Sequence, residues 1–321
     1  MFFSPGHRIQ KYFKENPNTK IILVMGSRGA TSAIRAIVSI LSTTFSVSIG
    51  VNKKLKTDIV VLDFKSMHNF PKIKPDYVAL TGCRSLTELA NYSYWINNSK
   101  HLFVNHNDVV SEVREELKKH ESYFSYGDEK PADFHFENQD FSIHGHKGAF
   151  VDPEGDRLPA FVHILGEHNL RPITLAAGIA RQFKIHRNDI TKAIESLRPL
   201  HGRMSPAEGP NRSIIIDDSA DLSSDSIKNG LHTISMLSAP MRMVVIKDLR
   251  RKIPYDPDLI DSIVIIDPDI KVSENGVFHN FQTEVEAIRY IRENAEPDGL
   301  ILLECPIPEL ITKYMLEEDM I

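Results

Sequence analysis

Cysteine is scarce in this chain: Cys83 and Cys305 are the only two in 321 residues, and neither sits in a metal-type spacing. This excludes a disulfide-stapled scaffold and a cysteine zinc site, and both read as reduced, small apolar residues of a cytoplasmic protein. An excess of positive charge is missing too. Lys plus Arg number 38 against 43 for Asp plus Glu, a net charge of −5, which does not favour nucleic acid as a partner. No apolar run reaches the length that crosses a membrane. The opening Met1-Phe2-Phe3-Ser4-Pro5-Gly6-His7-Arg8 has too short an apolar stretch for a signal peptide. Internal repeats and low-complexity tracts are absent. What is present is globular: 41% hydrophobic and 25% charged residues, over a length that suits two domains.

The residues that carry most information are Gly26-Ser27-Arg28-Gly29-Ala30-Thr31-Ser32. They follow an apolar run, Ile21–Val24, and precede a helical pattern of Ile34, Ile37, Val38 and Leu41. Strand, glycine turn and helix start form the context of a phosphate loop. Gly26 and Gly29 let the backbone approach an anion, helix N–H groups point at it, and the Thr31 hydroxyl is placed for magnesium. Yet Ala30 stands where the frame has its lysine. The loop marks a nucleotide phosphate site and lacks its cation.

Apolar runs at 45–51, 58–63, 76–81 and 101–104 read as strands, with helices at 7–16, 86–96 and 109–119. This alternation predicts a parallel sheet covered on both faces. Residues 133–137, 141–144 and 161–164 alternate apolar and polar and predict a small antiparallel patch. Helices are expected at 172–183 and 187–197, the second capped near Arg187 or Asn188. Leu200–Arg203 and Ser205–Pro210 interrupt the pattern, giving domains at 1–198 and 199–321. A second α/β alternation follows, with strands at 213–217, 243–246, 262–266 and 299–303 and helices at 223–237, 283–294 and 308–316. The fold class is α/β: a P-loop-type parallel-sheet domain followed by a smaller Rossmann-like domain.

Several motifs, in this order, resemble the Mur ligases, which join amino acids to cell-wall (peptidoglycan) precursors, and their folylpolyglutamate synthase relatives. The phosphate loop is the first. Lys74–Thr81 resembles the strand leading toward a magnesium site, and Asn105 with Asp108 the Asn-x-Asp-Asp segment. Gly166-Glu167-His168-Asn169 is similar to the Gly-x-His-Asn signature, Gly202-Arg203-Met204 to the junction into the C-terminal domain, and Asp217-Asp218-Ser219 to the nucleotide-contacting Asp-Asp-Ser. The resemblance covers roughly residues 20–303. It implies a central and a C-terminal domain closing over ATP and magnesium, with amide formation through an acyl phosphate. About 20 residues precede the loop, so the usual substrate-binding first domain is expected to be absent.

Under this resemblance Gly26, Ser27, Arg28, Gly29, Thr31, Ser32, His168, Asn169, Arg203 and Asp218 are the nucleotide-binding candidates, and Thr31 and Asp63 the magnesium ligands. Alternatives stand beside several of them. Arg28 also reads as a solvated loop residue, Asp63 and Asp218 as turn residues at strand ends, Asn169 as a helix cap and Arg203 as a hinge residue paired with an acid. Basic and metal-binding positions of the family are lost. Ala30 replaces the loop lysine, no His lies between Tyr77 and Lys100, no Lys lies in 85–96, and Leu303-Glu304-Cys305-Pro306 replaces a Lys-Gly-Ser element. Asp221 stands where the family has Asn or His. His144-Gly145-His146 reads as a hairpin tip rather than a metal site, Asp248-Leu249-Arg250-Arg251-Lys252 as a solvated turn, and Trp95 with Tyr92 and Tyr94 as packing.

The expectation is a divergent member of this ligase lineage with a degenerate ATP site, or a non-catalytic binding or scaffolding protein using the crevice between the domains. Its partners would be a nucleotide or another anionic small molecule, or a protein, with no nucleic acid and no membrane.

Overall fold

The computed structural model describes residues 5–52, 56–66, 70–220, 223–247, 259–269 and 276–315; Asp221 and the basic run 248–252 lie outside the described residues. The chain forms two units. The first runs up to Gln139 and adds Lys147–Val162 and His168–Leu197; the second holds Asp140–His146, His163–Glu167 and the residues from Arg198 onward.

In chain order the first unit begins with α1 (Pro5–Glu15), β1 (Lys20–Met25), α2 (Ala30–Leu41), β2 (Val47–Ile49), β3 (Ile59–Asp63) and β4 (Tyr77–Leu80). There follow α3 (Leu86–Ala90), α4 (Ser93–Asn97), β5 (His101–Asn105), α5 (Ser111–Leu117) and β6 (Tyr123–Tyr126). Then come β7 (His135–Ser142) and β8 (Gly145–Val151), whose ends at 140–142 and 145–146 are assigned to the second unit, followed by β9 (Arg157–Val162), α6 (Leu170–Gln182) and α7 (Arg187–Glu195). Six strands form one sheet in the order β2-β3-β1-β4-β5-β6, each pair parallel. The central strands are near-continuous apolar runs because both faces are covered. On one face Leu23, Met25, Val60, Leu62, Val78 and Leu80 join a core with Ile9, Tyr12 and Leu89. Helix α2 buries Ala30, Ala33, Ile34, Ile37, Ile40 and Leu41, a stripe at helical spacing, and packs against α6.

Differences from the expected elements have local causes. The stretch 86–96 is two short helices, not one: α3 ends at Ala90 with Asn91 as its C-cap, and Tyr92 turns inward, its hydroxyl donating to Glu88 Oε1 at 3.2 Å. Strand β6 at the sheet edge was missed, since Tyr-Phe-Ser-Tyr is half-buried and carries no apolar run. The patch at 133–164 is a three-stranded sheet in the order β7-β8-β9. Only Ile143 and His144 join β7 to β8, a connection too short for anything but chain reversal, so 141–144 is a strand end and turn. His186, not Arg187 or Asn188, caps α7, accepting from the Asn188 N–H at 3.3 Å.

The second unit holds β10 (Ser205–Glu208), β11 (Ile214–Asp217), α8 (Ser224–Met236), β12 (Arg242–Lys247), β13 (Ser262–Ile266), β14 (Phe278–Phe281), α9 (Glu284–Asn294), β15 (Leu300–Leu303) and β16 (Lys313–Tyr314). Its seven-stranded sheet runs β14-β13-β12-β15-β11-β10-β16, with β10 antiparallel to both neighbours. Alternate residues face opposite cores: Met243, Val245, Val264 and Leu303 meet Ala287 and Ile291 of α9, while Val244, Ile246, Ile263 and Leu302 meet Ile227, Leu231 and Ile234 of α8. Strands β10 and β14 were not expected, and the helix expected at 308–316 is a 3-10 turn at Pro308–Leu310 followed by β16.

His146, the second residue of β8 and just past the tip at Ile143-His144, is fully buried and stacks on Phe141 at 4.3 Å between ring centroids. Among the described residues neither ring nitrogen has a hydrogen-bond partner. Burial pushes its pKa down from 6.5 to about 4. Between those values the unfolded chain binds the proton and the folded chain does not, so stability rises with pH there. Acidification from pH 6.5 to pH 4 is expected to lose up to roughly 3 kcal/mol through this group. Urea midpoints of wild type and His146→Leu across that range measure it. Parallel curves for the two proteins would show that His146 contributes nothing.

Candidate functional site

The phosphate-type loop follows β1 and leads into α2. Gly26 has φ +135° and Gly29 φ +68°, both in the region glycine tolerates. Gly29 is the N-cap of α2, and the first helical bond runs from the Ala33 N–H to the Gly29 carbonyl at 2.9 Å. The N–H groups of Ala30, Thr31 and Ser32 therefore precede the helix's own ladder, where a helix carries partial positive charge. Thr31 is exposed, and Ser27, Arg28 and Ser32 are half-buried.

Strand β4, beside β1 in the sheet, fixes the loop's shape. The Ser27 N–H donates to the Gly82 carbonyl at 3.1 Å. The Thr81 hydroxyl lies against the Met25 carbonyl at 3.2 Å and donates to the Arg28 carbonyl. Asn105, buried at the end of β5, extends this support. Its Nδ2 donates to the Thr81 carbonyl at 3.2 Å and to Asp108 Oδ2 at 2.9 Å, while its Oδ1 accepts from the N–H groups of Asn107 and Asp108. Asp108 Oδ2 also accepts from Arg171 Nη1 at 3.0 Å, and Arg171 makes two further bonds to Asp128 Oδ2 at 2.9 and 2.7 Å. Burial pulls the Arg171 guanidinium down, but Asp108 and Asp128 outweigh it and hold it above its ordinary value.

Asp63 closes β3 on the other side of β1, with Val24 as its register partner. One of its carboxylate oxygens accepts the Lys65 N–H at 2.9 Å, the self-capping arrangement of a turn residue. His168 and Asn169 lie half-buried in a 3-10 turn, Glu167–Asn169, that leads into α6. Asn169 does not cap α6: its backbone is already helical and no side-chain cap bond forms. The reading of Asn169 as a cap is therefore corrected. Trp95 packs edge-on against Phe64 at 4.9 Å and donates to the Pro71 carbonyl at 2.9 Å, a structural use. Both cysteines are buried, and burial pushes the Cys305 thiol up to about 12.

A cavity of about 450 Å³ elsewhere in the first unit is lined by Phe134, Glu154, Arg181, Lys184, His186 and Arg187. Two of its cations are already paired, Arg181 with Asp152 and Asp156 and Arg187 with Asp156. The loop region is the better candidate.

No protein-family model matches the sequence, and no curated protein matches it. Solved structures do. MurF from Thermotoga maritima, in complex with ADP, superposes with TM-score 0.73 over 95% of this chain and 81% of that one, at 12% identity. MurC from the same organism gives 0.67, with 94% and 75% covered at 18% identity. Folylpolyglutamate synthetase from Lactobacillus casei gives 0.65, with 95% and 93% covered at 14% identity. The chain has the Mur ligase fold. The resemblance read from the sequence motifs holds at that level.

Within this Mur ligase fold, the second unit uses its motif residues structurally. Asp217 Oδ2 accepts from the Gly202 N–H at 3.1 Å and the Tyr314 hydroxyl at 2.7 Å. Asp218 is buried, with Oδ1 on the Met204 N–H and Oδ2 on the Ser226 hydroxyl, each at 3.1 Å. Arg203 is half-buried in the same turn, where Gly202 has φ +74° and Met204 φ +54°. After β15, where the resemblance places a lysine, Glu304 is buried beside Gly230, whose missing Cβ would lie 2.4 Å from Glu304 Oε1. Sequence reasoning missed Thr81 as a loop support and the Asp108–Arg171–Asp128 cluster. These partners are separated by tens of residues, and no local motif joins them.

Proposed function

We propose that the first unit binds a nucleoside polyphosphate with magnesium at Gly26–Ser32, and that the chain descends from ATP-dependent ligases that form amides through an acyl phosphate, its phosphoryl transfer weakened. The observation that carries this is the loop itself. Two left-handed glycines bring main-chain N–H groups and the start of a twelve-residue helix to the rim of a parallel sheet. Such a rim, beyond the strands' carboxyl ends, is where ligands of open α/β sheets sit.

The residues fit magnesium in type. Mg²⁺ takes oxygen ligands and usually binds through one or two carboxylates together with substrate phosphates and water. The Thr31 hydroxyl and the Asp63 carboxylate would hold it, and it would neutralise charge between phosphate oxygens. Ser27, Arg28 and Gly29 would cradle phosphate, and His168 and Asn169 would lie toward the nucleotide. Asp218 is the weakest candidate, because both its oxygens already accept hydrogen bonds.

Calorimetric titration with ATP and MgCl2 tests the reading. Submillimolar binding is expected, weakened about tenfold or more in Thr31→Ala by loss of one oxygen ligand to magnesium. Absence of binding to wild type would reject it. ADP release with panels of carboxylates and amines is expected to be slow, because one missing stabilising donor typically costs ~10²–10³ in rate.

A non-catalytic binding or scaffolding role is the second reading. It is favoured by Ala30 in the loop and by the buried Glu304 where a cation belongs. It expects an intact apo protein with no nucleotide affinity.

A further inference from the structure

Lys65 carries a positive charge to the loop from outside it. Its ammonium donates to the Ser27 carbonyl at 2.7 Å, a contact spanning 38 residues of sequence. The sheet explains the reach. Strand β3 pairs with β1 in parallel, and Asp63 lies beside Val24, so the residues just past β3 run alongside the loop just past β1. The turn is then held in place by two means. Lys65 N–H and Ser66 Oγ bond Asp63, and Phe64 is packed among Phe70, Tyr92 and Trp95 at centroid distances of 5.3, 5.3 and 4.9 Å. The backbone that presents Lys65 is therefore fixed, while the side chain itself stays exposed.

We propose that Lys65 supplies the ammonium that the loop lacks at Ala30, and that it contacts the terminal phosphates of a bound nucleoside triphosphate. This rests on the nucleotide-binding reading given above. An ammonium has three donors, of which the Ser27 carbonyl takes one. The other two are not taken up by any contact among the described residues, and the ammonium sits beside a loop whose own position 30 is an alanine. Charge-assisted bonds to phosphate are about twice as strong as neutral ones. Contact with the end of the phosphate chain also makes a specific demand: Lys65 should matter more for a triphosphate than for a diphosphate, and not at all for the nucleoside.

The test is calorimetry of the full chain with ATP, ADP and adenosine, each with MgCl2 at fixed ionic strength, for wild type, Lys65→Met and Lys65→Met with Ala30→Lys. Expected results are ATP affinity about tenfold weaker in Lys65→Met, a smaller loss for ADP, and an ATP-to-ADP preference that narrows toward one. Ala30→Lys, which returns an ammonium from the loop's own position, is expected to restore the preference. An unchanged urea midpoint shows that the variant is folded; Lys65→Gln replaces Lys65→Met if it is not. If wild type binds ATP and Lys65→Met binds it within twofold, the Lys65 proposal alone falls. Equal losses for ATP, ADP and adenosine would make Lys65 a support of loop shape and would also overturn it. If wild type binds no ATP, this proposal and the nucleotide reading fall together.

Discussion

Arg171→Met is expected to lose about 3–5 kcal/mol of folding stability, the cost of leaving a buried charge without its partner. The guanidinium bridges Asp108 and Asp128, with side chains 28% and 16% exposed. Asp128 Oδ1 has no hydrogen-bond partner among the described residues, so that carboxylate depends on the arginine all the more. Methionine fills the volume and removes the charge, which isolates the electrostatic effect from cavity formation. Adding Asp108→Asn and Asp128→Asn is expected to recover part of the loss, since replacing a whole buried ion cluster costs less than breaking it. Chemical denaturation of the single and triple variants measures both. A loss below about 1 kcal/mol in the single variant would place these carboxylates effectively in water. The loss should reach the loop as well, because Asp108 also holds Asn105, and Asn105 holds the Thr81 carbonyl.

Gly26→Ala is expected to cost about 3–5 kcal/mol, and Gly29→Ala only about 1–2. Both glycines have positive φ, but their surroundings differ. A Cβ on Gly26 would stand 2.6 Å from the Gly82 nitrogen and from Thr81 Oγ1, and 2.8 Å from the Gly82 carbonyl oxygen. Two of these three atoms are main chain and cannot swing away. A Cβ on Gly29 would meet nothing nearer than 3.9 Å, which leaves only the penalty of the left-handed backbone. Urea midpoints distinguish the two, and equal losses would mean that β4 yields to the added methyl. Where Gly26→Ala still folds, the Ser27–Gly82 and Thr81–Arg28 bonds should be displaced, and on the nucleotide reading proposed above ATP binding should be lost with them.

The parallel sheets were legible in the sequence for a clear reason. Strands covered on both faces must be apolar at every position, and Ile21–Val24, Val60–Leu62 and Ile263–Ile266 are. Strands β6, β10 and β14 were not, because each lies at or near an edge or carries polar residues such as Ser125, Glu208, His279 and Asn280. The break between α3 and α4 was hidden because Leu86, Leu89, Tyr92 and Ile96 keep helical spacing across it. Near the loop, adjacency in sequence revealed the glycines and Thr31 but said nothing of Thr81, Lys65 or Arg171. Those reach the site across neighbouring strands or through a buried ion cluster, and only the order of strands brings them there.

The contacts that β4 and its following turn make to the loop, from the Thr81 hydroxyl and the Gly82 carbonyl, and the two glycines that bend it are all uncharged. Architecture and electrification are thus separable here. The uncharged bend would therefore survive a change of charge at position 30, and on the proposal made above the cation can come instead from the turn after β3 that overhangs the same rim.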